Sequence, residues 1–105
     1  MTLTPAVSAG APAWRLAPLV ALHWRRWGDE WVVFDVGSGQ THKIDTLTAM
    51  TLMVLESGPS DPPAIESAIA RELALDDEAA ADVASRLSEL LAGLGRIGLA
   101  ETIAG

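Results

Sequence analysis

The sequence predicts an α+β fold: a small three-stranded antiparallel meander followed by three helices that cover one side of the sheet. Three observations carry that prediction. Within Glu30–Asp45, two extended runs, Trp31–Val36 and Gln40–Ile44, flank the turn cluster Gly37-Ser38-Gly39, which is a hairpin pattern. An aromatic run, Leu22–Trp27, precedes them and closes on Gly28-Asp29. After Asp45 the apolar residues recur at helical spacing almost to the end of the chain. Strands first and helices afterwards is the order of an α+β domain.

The elements follow in chain order. Residues 1–21 read as a flexible N-terminal arm, rich in Ala, Thr, Pro and Ser at its start. Its second half, Trp14–Val20, is apolar but broken by Pro18, which argues against a central strand. It either packs on the domain or orders on contact with a partner. Residues 22–101 form the domain, and residues 102–105 are a tail. In the first strand Leu22, Trp24 and Arg26 alternate with His23, Arg25 and Trp27. In the second, Val32 and Phe34 are expected to face the core, and Trp27 and Trp31 to pack across the Gly28-Asp29 turn. In the third, His42 and Ile44 share a face opposite Thr41 and Lys43. Asp45 caps a helix over Thr46–Glu56 that is apolar nearly all round and is expected at the centre. Ser57-Gly58-Pro59 stops it. Asp61 and Pro62 open a second helix with the stripe Ile65, Ile69 and Leu73. Asp76-Asp77-Glu78 opens a third, with the stripe Val83, Leu87, Leu90, Leu91 and Leu94 and an end at Gly93 and Gly95. Ile97–Ala100 then adds a short extended piece.

Composition narrows the function. The chain has 105 residues, a single small domain, and half of them are hydrophobic. Its formal net charge of -7 argues against a phosphate-backbone ligand, which requires clustered Lys and Arg. With no cysteine there is no disulfide, thiolate metal site or thiol nucleophile. The start lacks the basic region of a secretory signal, and Leu16–Leu22 is too short to span a bilayer. A soluble, cytoplasmic protein with neither nucleic acid nor membrane as partner is expected.

The residues offer little catalytic chemistry. His23 and His42 could meet across the sheet on a metal, but no acid or cysteine at ligand spacing accompanies them. Half-buried, hydrogen-bonded strand histidines are the ordinary reading. Gly37-Ser38-Gly39 leads into a strand and lacks the Gly-Lys-Ser/Thr of a phosphate loop. Asp76-Asp77-Glu78 reads as a helix start, and Ser57 and Ser60 as turn residues without a base. The four tryptophans read as packing residues, given their acidic neighbours and the net charge. No cofactor, metal or catalytic residue is expected. What remains is a binding surface, because a three-stranded meander leaves an edge strand able to accept an extended peptide.

The segment Trp24-Arg25-Arg26-Trp27-Gly28-Asp29-Glu30-Trp31-Val32-Val33-Phe34, then Ser38-Gly39-Gln40-Thr41-His42, then Ile44-Asp45 running into an aliphatic helix, resembles the PqqD family. The Ser-Gly-x-Thr-His segment is most similar to the branch described as the peptide chaperone of HPr-rel-A systems, found beside a kinase-related protein. The resemblance spans about Leu22–Glu101. It implies a winged-helix-like domain that binds the leader part of a ribosomally made precursor peptide and holds it for a modifying enzyme. It implies that the leader lies as an added strand along the third strand, in a groove bordered by the third helix. In this sequence that points to Gln40, Thr41, His42, Lys43 and Ile44, with Val83, Arg86 and Leu90, and Ala79 and Glu89 nearby. Lys43 departs from the apolar residue expected there. Implied partners are the leader peptide and a modifying enzyme, kinase-related in that branch. Two other classes compete: an acidic winged-helix regulator of DNA, which the charge disfavours, and a structural subunit whose sheet face buries against a larger complex or, in a homodimer, against a second copy.

Overall fold

The computed structural model describes residues 12–103. Eight elements follow in order: β1 (Ala13–Leu16), β2 (Leu22–Trp27), β3 (Glu30–Asp35), β4 (Gln40–Ile44), α1 (Thr46–Glu56), α2 (Pro62–Glu72), α3 (Asp77–Arg96) and β5 (Ala100–Ile103). Strands β2, β3 and β4 form an antiparallel sheet in sequence order, and β1 pairs with β5 in a separate two-stranded ribbon. The α+β order of a meander followed by three helices is therefore the fold.

Each helix starts where a side chain can take an otherwise unpaired N–H. Asp45 accepts from Thr48 N at 2.8 Å, Asp61 from Ala64 N at 2.9 Å and Asp76 from Ala79 N at 2.8 Å. Such a cap contributes about 1 kcal/mol. Leu52, Leu55, Ile65, Ile69, Val83, Leu87, Leu91 and Leu94 from the three helices make the buried core. Burying one such side chain stabilises by about 1.5–3 kcal/mol, so the helical stripes dominate the fold. Trp14, Leu22, Trp24 and Ile44 pack against that core from the strands.

The inner face of the sheet follows from its register. Trp24 lies opposite Val33, and Val33 opposite His42; Arg26 lies opposite Trp31, and Trp31 opposite Ile44. Val33 is fully buried and Phe34 is 40% exposed. This corrects the expectation that Val32 and Phe34 face the core: the inward residues are Trp31, Val33 and Asp35. Alternation alone could not choose between two faces that both carry large apolar groups. Trp31 meets Trp24 edge to face at 6.0 Å, while Trp27 sits on the opposite face, 61% exposed, so Trp27 and Trp31 do not pack across the turn.

Other departures lie near the ends. Ala13–Leu16, placed in the arm by the sequence, is strand β1, and Thr102 and Ile103, placed in the tail, belong to β5. Residues 1–11 and 104–105, the rest of the arm and tail, lie outside the described residues. Gly93 and Gly95 lie inside α3, which runs on to Arg96, and Gly98 at φ 82° completes the turn that follows. A Cβ on Gly95 would stand 3.6 Å from the Trp14 ring, so a small residue there gives that ring its seat. Leu73 is the C-cap of α2 and 43% exposed, so the buried stripe of that helix is Ile65 and Ile69.

Candidate functional site

The hydrogen-bonding parity of the sheet decides which side of β4 is free. Val36 N donates to Ala21 O at 2.9 Å, continuing the β2–β3 ladder beyond Asp35. In an antiparallel pair only alternate residues exchange hydrogen bonds with a given neighbour. Phe34, Val32 and Glu30 therefore bond to β2, and Trp31, Val33 and Asp35 to β4. Their opposites on β4 are Ile44 and His42, whose backbone groups are thereby engaged, and Gln40, whose N–H donates to Ser38 Oγ at 3.2 Å at the turn. The N–H and C=O of Thr41 and Lys43 point away from the sheet, and no described strand pairs with that side of β4.

Side chains on β4 alternate as well. Gln40, His42 and Ile44 lie on the helix side, and Thr41 and Lys43 on the outer face. Lys43 Nζ is 3.0 Å from Glu30 Oε2, with both side chains more than half exposed, so the pair is worth about 0–1 kcal/mol and leaves Lys43 adaptable. His42 Nε2 and Trp31 Nε1 are buried without a hydrogen-bond partner. The expectation of a hydrogen-bonded His42 fails at that atom. His23 lies on the outer face opposite Phe34, so the two histidines do not meet. Among the described residues no three metal-ligating side chains converge.

Two clefts lie beside the β4–α1 junction. The first, about 470 Å³, lies between Asp45, Leu47 and Thr48 and the α3 residues Ser85, Arg86, Glu89, Leu90 and Arg96. The second, about 300 Å³, lies between Leu47, Leu73 and Leu75 and the α3 residues Ala79, Asp82, Val83 and Arg86. Sharing Leu47 and Arg86, they make one furrow along α3, with aliphatic side chains at its base and ionic groups on its rim. Arg86 Nε holds Asp82 Oδ2 at 3.2 Å along that rim.

The predicted α3 residues Val83, Arg86 and Leu90, with Ala79 and Glu89, thus line one furrow. Gln40–Ile44 do not line it; they form the strand that leads into it through Asp45. Leu47 and Leu75 were missed as lining residues. The signal for Leu47 was its place in the first turn after the Asp45 cap, next to the edge strand.

Asp35 anchors the far end of the same hairpin. Its carboxylate is 4% exposed and accepts from Ala21 N at 3.1 Å and Gly37 N at 3.0 Å. Burial raises its pKa, but hydrogen bonds from Ala21, Ser38 and Gly37 outweigh that and hold it below the ordinary value.

No known protein family matches the chain by sequence, and neither does any curated protein. Among solved structures, the fold is similar to that of TbiB1 in complex with the TbiA(beta) leader peptide. The TM-score is 0.60 at 23% identity, over 87% of this chain and 99% of that one. At that identity the likeness is one of fold.

Proposed function

We propose that this protein is a non-catalytic peptide chaperone. It binds the leader segment of a ribosomally made precursor peptide as a strand added to β4 and presents it to a modifying enzyme. The observation that carries this reading is the unpaired edge at Thr41 and Lys43, which opens beside the furrow along α3. The shared fold with TbiB1, a protein solved with a leader peptide bound, supports it, as do the PqqD-like motifs on β2–β4. The resemblance those motifs carry points to a kinase-related protein for that role.

Magnitudes assign separate tasks to edge and furrow. Thr41 and Lys43 offer two donors and two acceptors. At about 0.5–1.5 kcal/mol net for each bond, they supply roughly 2–6 kcal/mol. Micromolar binding needs about 8 kcal/mol after the cost of ordering the peptide has been met. The edge therefore sets register, and apolar side chains of the leader buried against Leu47, Leu75, Val83 and Leu90 supply affinity. Leader residues opposite His42 and Ile44 point into the furrow, and those opposite Thr41 and Lys43 onto the outer face.

The test is an amide-shift titration with the precursor peptide encoded beside this gene. Shifts are expected at Thr41 and Lys43 and along Val83, Arg86 and Leu90. A peptide that leaves Gln40–Ile44 unmoved at saturation removes the strand-addition reading.

A further inference from the structure

The outer face of the β2–β3–β4 sheet meets the leader site proposed above only along Thr41 and Lys43, and the rest of it is largely apolar. Alternation puts Trp27, Val32, Phe34 and Val36 on it. Trp27, Phe34 and Val36 are three of the six exposed large apolar side chains among the described residues. Such clustering marks an interaction surface rather than scattered exposure.

The charge of this face is opposite to that of the chain. Arg25, Val32 and Lys43 form one row across the three strands. Arg25 is exposed with no ion-pair partner among the described residues, and Lys43 is shared with Glu30 alone. With Glu30 on the same face set against Arg25 and Lys43, the face keeps a net positive charge on a chain of net charge -7, which fits a partner with an apolar centre and an acidic rim. A second copy centred on Val32 in two-fold contact would set Arg25 and Lys43 against like charges, which disfavours that self-association.

We propose that this outer face docks the modifying enzyme, through a complementary acidic-rimmed apolar surface of that enzyme. The inference rests on the leader-binding reading for the identity of the partner. A leader strand added to β4 widens the same face, because its residues opposite Thr41 and Lys43 emerge on it. The docked enzyme then touches the chaperone and leader side chains together. Enzyme and leader strengthen each other's binding by one common factor.

The experiment uses the full chain, the precursor peptide and the enzyme encoded beside this gene, with affinities measured by calorimetry with and without peptide. Arg25→Glu, whose side chain is exposed, and Phe34→Ser are each expected to weaken enzyme binding about tenfold, the scale of an interface hot spot. Leader affinity measured without enzyme is expected to stay unchanged. Arg71→Glu on α2 is expected to bind both like the wild type. Circular dichroism establishes that each variant is folded. The proposal is overturned if folded Arg25→Glu and Phe34→Ser bind enzyme normally, or if the wild type never binds it. A dimer of the protein alone that Phe34→Ser disrupts in sedimentation also overturns it, since the face then belongs to a second copy. If the peptide fails to bind while both variants still lose enzyme, the leader reading fails and the docking face stands.

Discussion

A methyl group on Gly37 would collide with the carbonyl oxygen of Leu19, a backbone atom with no rotamer to yield. Gly37→Ala must therefore shift the Ala17–Ala21 connection or the hairpin turn. The expected cost is about 1–3 kcal/mol, the scale of an overpacked site, or a fall in Tm of several degrees at about 4–8 °C per kcal/mol. A melting curve like that of the wild type would refute this. Asp35 acts on the same contact through charge, joining Ala21 to Gly37. Its pKa is lowered in the folded state relative to the ordinary 3.8, so the unfolded chain takes up the proton first on acidification. Its stabilisation is complete above the unfolded value and is lost as pH falls through the lowered folded one. Thermal melts taken from neutral to acid pH are expected to fall more steeply for the wild type than for Asp35→Asn. Parallel curves would show that this carboxylate does not link stability to pH.

At the scale of the strand, parity gives two adjacent residues of β4 opposite tolerances. Lys43 N–H points outward, so Lys43→Pro removes no ladder bond and is expected to fold. It deletes one donor from the docking edge and should weaken leader binding by up to about tenfold, the worth of one hydrogen bond. His42 N–H bonds to β3, so His42→Pro breaks the sheet and is expected to lose folded structure by circular dichroism. If both variants fold equally well, the assigned parity is wrong. The helices were legible in the sequence because each opens on an aspartate cap and carries an aliphatic stripe: Val83, Leu87, Leu91 and Leu94 are all buried. The free edge was legible as strand order, but which backbone groups it offers needed the Val36–Ala21 bond. The inward face of β3 was not legible, because Phe34 and Val32 are as apolar as Val33 and only packing against the helices separates them. Leu47 escaped as a furrow residue for a similar reason: helical spacing marks it as apolar without saying that α3 stands off from it.

At the scale of the molecule, the two ends of the described chain are tied to each other. Strand β1 pairs with β5 from Ala13↔Ile103 to Leu16↔Ala100, and Trp14 also exchanges backbone bonds with Ser60 at 2.8 and 2.9 Å. Arg15 adds a bond to Glu101 at 2.9 Å through its Nε, worth about 0–1 kcal/mol at an exposed site. The Trp14 ring contributes more, since it packs on the core and covers Gly95. Sequence reasoning started the domain at Leu22 because Pro18 interrupts the preceding run, yet Pro18 only turns the chain between β1 and β2. A protein beginning at Leu22 would lose the β1–β5 ladder, leave backbone groups of Ser60 unpaired and open the Trp14 seat beside α3. The missing ring alone accounts for a few kcal/mol of a total near 5–15. The shortened chain is expected to melt roughly 10–20 °C lower than the full one. Because the β4 edge and the furrow lie on other elements, the shortened chain should still bind the leader at temperatures where it stays folded. Melting and titration of the two chains side by side separate these effects. An unchanged Tm would mean that the ribbon only decorates the core, and lost binding in a folded short chain would mean that β1 shapes the docking edge.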